Sequence, residues 1–111
     1  MSIEVPLADL AAAIGARGPL VYLVTVGERG PRVVSVSVEV TGAGELRVGA
    51  GRHTSANVAA RPEVALMWPA DADHPKHTLL VDGTAVAAAD GAEELVITPT
   101  AAILHRVRDR R

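Results

Sequence analysis

Residues 20–40 read LVYLVTVGERGPRVVSVSVEV, and this stretch decides the fold. Residues 20–26 are apolar on both faces and rich in β-branched side chains, a pattern that is typical of a central strand. The glycines and the proline of residues 27–31 indicate a turn. In residues 34–40 valine alternates with Ser35, Ser37 and Glu39, which predicts a strand with one apolar and one small polar face. The stretch therefore predicts a β-hairpin.

Four more strands are predicted downstream of this hairpin. A glycine-rich turn at residues 41–44 leads into a strand at 46–50, which extends the hairpin to an antiparallel meander. The other strands are predicted at residues 63–68, 78–88 and 94–106. We expect a bulge or tight bend at Gly83 and a bend at Pro99, and the second half of the last segment could instead be helical.

Two short helices interrupt the strands. The first is predicted over residues 6–16, where apolar side chains recur at helical spacing and Pro6 suits a first helical position. The second lies within residues 51–61, with Thr54 or Ser55 as its N-cap and Pro62 after its end. Six mainly antiparallel strands with two short helices predict a single β-barrel domain over residues 1–111, because closure removes exposed strand edges.

The composition indicates a small globular chain with an unusual core. About half of the 111 residues are hydrophobic, but Tyr22 and Trp68 are the only aromatic residues, so Val, Ala and Leu must fill the core. Oligomerisation is a common way for a small domain to bury more apolar surface, which favours a dimer. Trp68 is expected to anchor the core or the dimer interface. The net charge of −2 and the lack of a basic run outside residues 106–111 argue against a nucleic-acid partner.

The chain contains no cysteine, which excludes disulfides, thiolate metal sites and cysteine nucleophiles. The first residues lack the basic and apolar regions of a signal peptide, and the longest apolar run is too short to span a bilayer. We therefore expect a cytoplasmic protein without a membrane partner. The histidines and aspartates of the loop at residues 69–77 are interpreted as a solvated connector and not as a metal site. A serine hydrolase is excluded because no nucleophile elbow is present.

One segment has the composition of an anion site. Arg52, His53, Thr54 and Ser55 offer a guanidinium, an imidazole and two hydroxyls at the expected start of a helix, where free N–H groups favour a phosphate. The alternative is an ordinary helix cap with a solvated arginine. Asn57 is a further candidate, although a structural cap or bridge within the short helix is favoured for it.

Several stretches together resemble the pyridoxamine 5′-phosphate oxidase-like, FMN-binding split β-barrel family. The resemblance covers nearly the whole chain in the order of its elements. The stretches that carry it are LVTV at 23–26 with GPRVVSVS at 30–37, GRHTSANV at 51–58 with RPEVAL at 61–66, VDGTA at 81–85, and TPTAAILHR at 98–106.

The resemblance implies a homodimer with FMN at the interface. The flavin ring would lie along the second predicted strand, near Ser35 and Ser37, whose alternative role is a solvent face or a dimer seam. The phosphate would lie at residues 52–55. Many relatives have lysine where this chain has Thr54, so the cation would come from Arg52 or Arg32 instead.

The implied function is an FMN-dependent oxidoreductase that transfers hydride to or from a small molecule. Pyridoxamine 5′-phosphate oxidase activity itself is not expected, because the further basic constellation for a substrate phosphate is missing. A non-catalytic or cofactor-free dimer and a binder of F420 or haem on the same scaffold remain alternatives. His105 is expected to be structural, with haem ligation as its alternative role. The sequence singles out no catalytic acid or base.

Overall fold

Seven strands, where six were expected, form the sheet of the computed structural model, which describes residues 2–110. The additional strand is the first, which is only three residues long and pairs with the last strand through Ile3 and Leu104. The other six strands confirm the predicted segments closely. The strands are β1 Ser2–Glu4, β2 Leu20–Gly27, β3 Gly30–Val40, β4 Leu46–Gly49, β5 Glu63–Trp68, β6 His77–Ala87 and β7 Glu94–Arg106.

The strands close into an antiparallel barrel. The sheet order is β1-β7-β4-β3-β2-β5-β6, and the further pairing of β6 with β7 closes the ring. Strand β7 continues to Arg106 and pairs with β6 to its end, so the helical alternative for its second half is wrong. The predicted bulge at Gly83 is confirmed, because the register of β6 and β7 shifts between Asp82 and Gly83.

The two predicted helices are present, with different starts. A 3-10 turn, Leu7–Asp9, precedes helix α1, Leu10–Gly15. Helix α2, Arg52–Ala60, has Gly51 as its N-cap, with extended backbone and no side-chain cap. The predicted caps at Thr54 and Ser55 are therefore wrong, since the helix already begins at Arg52. No helix described between residues 2 and 110 has the length and apolar character needed to cross a bilayer.

The barrel interior is filled by aliphatic side chains and one aromatic. Trp68 is 1% exposed, and its indole N–H donates to the Gly18 carbonyl oxygen at 3.0 Å. Trp68 is thus a core anchor within one chain. Helix α1 adds Leu10 and Ile14, while the fully buried strand residues are mainly leucines and valines: Leu23, Leu46, Val48, Leu66, Leu79, Val81 and Ile97.

One stretch of strand edge is left open. Strand β3 pairs with β2 along residues 30–37, but β4 covers the other edge of β3 only at residues 38–40. Within residues 2–110 no strand pairs with that other edge at residues 30–37. Alternate backbone N–H and C=O groups along this edge are therefore free to bind a ligand or a partner.

Candidate functional site

A cationic cleft of about 460 Å³ lies between the β2–β3 turn and helix α2. Helix α2 contributes His53 and Asn57, and its C-cap contributes Arg61. The turn and the start of β3 contribute Arg29 and Arg32. The volume falls within the range of about 300–1,000 Å³ that is usual for ligand sites. The cleft combines two of the elements that the sequence suggested, the basic start of β3 and the short helix.

Helical spacing explains why these three residues line the cleft. His53, Asn57 and Arg61 are four residues apart, so they lie one above the other on one face of α2 and its C-cap. The middle residue fixes that face, because the Asn57 side-chain amide donates to Thr25 Oγ1 at 3.2 Å. Asn57 therefore bridges the helix to strand β2, while its side chain also borders the cleft.

The positive charge of the cleft is not offset by ion pairs. No ion pair within residues 2–110 includes Arg29, Arg32 or Arg61. The Arg32 guanidinium donates only to the carbonyl oxygen of its neighbour Pro31, at 3.1 Å. Glu28 is the one acidic residue that lines the cleft among those described. The cleft therefore favours an anionic ligand over a neutral one.

The structure divides the predicted phosphate segment among different surroundings. Arg52 and Ser55 border a separate cleft of about 270 Å³, together with Glu93 and Glu94. Thr54 is only 8% exposed and packs inward. Successive helix positions are about 100° apart, so Arg52 and Ser55 share one face of the helix, while His53 and Thr54 point elsewhere. Of these four residues, only His53 joins the cationic cleft.

Ser35 and Ser37 lie on the outer face of the barrel. Their register partners on β2 are Tyr22 and Leu20, so all four side chains share that face. The two serines line a cleft of about 460 Å³ with Arg47 and Glu94. The structure thus places the predicted ring-contacting serines and Arg32, all of which lie on β3, in two different clefts.

Arg47 already forms ion pairs within the chain. Its guanidinium donates to Glu94 Oε1 at 2.7 Å and to Asp90 Oδ2 at 3.0 Å, which joins β4 to the turn before β7 and to β7 itself. These hydrogen bonds raise the pKa of Arg47. The backbone N–H of Ala92 and the guanidinium of Arg47 hold the pKa of Asp90 below its ordinary value. Arg47 is therefore less available to an anion than the arginines of the cationic cleft.

The outer face around the serines is strongly apolar. Leu20 is 75% exposed and Val33 is 58% exposed. Tyr22 and Val26 are also exposed, and Met67 of β5 continues the face beside Tyr22. A contiguous exposed apolar patch of this kind marks an interaction surface.

The remaining histidines contribute no metal site among residues 2–110. His74 Nδ1 lies 2.9 Å from Asp71 Oδ1, and Asp71 also accepts the backbone N–H groups of Asp73 and His74, which gives the loop a local turn. His105 is exposed, and its Nδ1 lies 3.4 Å from Ser2 Oγ.

Sequence reasoning missed Arg29 and Arg61. The four-residue spacing of His53, Asn57 and Arg61 was a usable signal for one cationic helix face. No local pattern indicated that the turn with Arg29 would meet this face, since that contact depends on the barrel.

No family model matches the sequence, and no curated protein matches it. Solved structures do match. The "Putative Pyridoxamine 5'-phosphate oxidase" of Listeria innocua superposes with a TM-score of 0.69 at 18% identity, covering 89% of this chain and 98% of that one. An F420 reductase superposes with a TM-score of 0.54 at 22% identity, covering 83% of this chain and 90% of that one. The chain therefore adopts the fold of the pyridoxamine 5′-phosphate oxidase-like split β-barrels, as its sequence landmarks implied.

Proposed function

We propose that the chain is an FMN-binding, oxidoreductase-type protein that works as a homodimer. The observation that carries this proposal is the convergence of unpaired cations, Arg32 and His53 above all, beside the open edge of β3. A flavin phosphate needs cationic donors at one end and backbone or hydroxyl groups at the other. Both kinds of group border this edge.

The residues present fit a phosphate-bearing flavin. Arg32 would hold the phosphate through its planar fork, with His53 as a second donor and Arg29 and Arg61 adding positive potential. The small side chains of Ser35 and Ser37 allow a flat ring to approach the backbone and hydrogen-bond its edge. When bound, FMN supplies hydride and electron transfer, while the protein supplies position and electrostatics.

A second copy of the chain is the proposed occupant of the apolar outer face. Ser35 and Ser37 lie beside Leu20 and Tyr22 on that face, so a copy that covered it would also enclose the ring-contacting serines. Burial of apolar surface contributes about 25 cal/mol per Å². A small chain with an aromatic-poor core buries little apolar surface on its own, so burial at a dimer interface would stabilise it further.

Gel filtration combined with a visible spectrum of the same peak tests the proposal. We expect a dimer that is yellow as purified or that becomes yellow on titration with FMN. A deazaflavin spectrum would identify the cofactor as F420, and a haem Soret band would identify it as haem. A colourless protein that binds no FMN at high micromolar concentration would instead favour a cofactor-free dimer.

Replacing Arg32 by alanine is expected to weaken FMN binding about tenfold, which corresponds to about 1.5 kcal/mol for a lost hydrogen bond to a charged group. Riboflavin, which lacks the phosphate, should bind equally to both proteins. The matched control is Arg52→Ala, because Arg52 lies in the cleft with Glu93 and Glu94. An affinity that falls with Arg52→Ala and not with Arg32→Ala would move the phosphate to the other cleft and contradict this assignment.

Replacing Leu20 by arginine is expected to convert the dimer into a monomer and to reduce FMN binding with it, since the charge would lie in the middle of the proposed interface. Val86→Arg is the control, because Val86 is also exposed, at 62%, but lies on β6 away from Leu20. Sedimentation velocity measures the result. A dimer that persists in the Leu20 variant and dissociates in the Val86 variant would place the interface elsewhere.

A further inference from the structure

A fourth cleft, of about 380 Å³, lies at the opposite end of the barrel from the cationic cleft. It is bordered by helix α1 and by the loop that leads into β6. Arg17, on its rim, comes shortly before the start of β2, whereas Gly27 of the cationic cleft ends that strand. An eight-residue strand spans about 26 Å, so the two clefts are separate sites.

The floor of this cleft is aliphatic. Ala13 lies in α1 and Ala16 is the C-cap of that helix, while Leu79 comes from β6 and Leu104 from β7. Leu79 is fully buried beneath it, so the floor is continuous with the barrel core. The small alanines on the helix leave the space that the cleft occupies. Such a surface binds an apolar chain or ring and gives no hydrogen bonds to a polar one.

The rim of the cleft is cationic. The Arg17 guanidinium is held by the carbonyl oxygens of Pro69, at 3.3 Å, and His77, at 3.0 Å. Both bonds use Nη1, so the N–H groups on Nη2 and Nε have no protein partner among the described residues. Lys76 also has no ion pair within residues 2–110, and Asp73 is the single acidic residue of the lining.

We infer that this cleft binds a small monocarboxylate with an aliphatic body, such as a medium-chain fatty acid. The aliphatic floor selects an apolar body, and the fixed guanidinium with Lys76 selects one negative charge at the rim. A polyanion would gain nothing from the floor, and an uncharged chain would leave the guanidinium donors unused. This inference does not depend on the proposed flavin site.

Titration with octanoate, followed by backbone amide NMR shifts, tests the inference. With octanoate we expect saturable shifts at Ala13, Ala16 and Leu79. Octanol lacks the charge, so its affinity should be lower by a factor of about five or more. Acetate, which lacks the chain, should give no saturable shift at these residues. Octanol that binds as tightly as octanoate, or shifts confined to other parts of the barrel, would overturn the inference.

Two substitutions at the cleft make the test specific. Lys76→Glu is expected to weaken octanoate binding about two- to fivefold by reversing one exposed charge, and Ala16→Leu to abolish it by filling the space. Arg17 is left intact because it also ties the carbonyls of Pro69 and His77 together. Arg61→Ala, at the opposite end, should bind octanoate like the parent protein. Equal affinity in the parent, Lys76→Glu and Ala16→Leu proteins would reject the site.

Discussion

Replacing Gly83 by alanine is expected to destabilise the protein by about 2–3 kcal/mol, the usual cost of overpacking a well-filled core. A Cβ built at this position would lie 2.8 Å from Cγ2 of Ile97 and 2.8 Å from the backbone oxygen of Thr98. Gly83 is buried at the β6–β7 bulge, so the backbone oxygen has no room to retreat. The strands would have to separate where they close the barrel.

Thermal unfolding followed by circular dichroism measures this effect. A loss of this size should lower the midpoint by roughly 10–20 °C in a domain of this length. Gly49→Ala is the matched control, since Gly49 also lies in a strand and a Cβ there meets no atom within 4 Å. The control should change stability by about 0.5 kcal/mol or less. If the Gly83→Ala protein had the same unfolding midpoint as the Gly49→Ala control, the bulge would accommodate the Cβ without loss of stability.

The strand segments along the chain were predictable because their signals are local. The valine–serine alternation of residues 34–40 predicted the strand, and Val38 is buried beside exposed Ser37, but Val34 on the same predicted apolar face is 37% exposed. Strand β1 carried no such signal, because three residues are too few to show alternation. Its strand conformation comes from pairing with β7. The paired residues Ile3 and Leu104 are 101 positions apart along the chain (104 − 3).

The start of helix α2 shows how a local rule can mislead. Hydroxyl side chains are favoured N-caps, which predicted Thr54 or Ser55. Gly51 takes the position instead, with φ of −79° and ψ of 179°, so the helix begins earlier. Because the cap lies three or four residues earlier than predicted, Thr54 is inside the helix and turned inward, and Arg52 and His53 border different clefts.

The cationic cleft was predictable only in part, since it joins two distant segments. The sequence identified Arg32, His53 and Asn57 as candidates, and the structure brings these three to one cleft. Ser35 and Ser37 were also identified, but their outward direction follows from the register with Tyr22 and Leu20. Which cations converge depends on how the β2–β3 turn meets α2, and that is set by the closure of the barrel.

Replacing Trp68 by alanine is expected to have the largest effect on stability, a loss of about 3–5 kcal/mol for a buried large side chain. Trp68 is almost fully buried, in a core that has no other aromatic residue among residues 2–110 to compensate for the missing volume. A protein of this size has about 5–15 kcal/mol of stability in total, so the variant should be partly unfolded near 37 °C. Urea denaturation followed by circular dichroism at low temperature measures the loss.

Trp68→Phe separates packing from hydrogen bonding at the same position. Phenylalanine keeps most of the apolar contact but removes the N–H that donates to the Gly18 oxygen at 3.0 Å, just before β2. We expect a loss of about 1–2 kcal/mol, made up of one unsatisfied carbonyl and a small cavity. Tyr22→Phe, which removes a hydroxyl from an exposed aromatic, should cost about 0.5 kcal/mol or less. If Trp68→Ala were no more destabilising than Trp68→Phe, the indole would not be the anchor around which this aliphatic barrel packs.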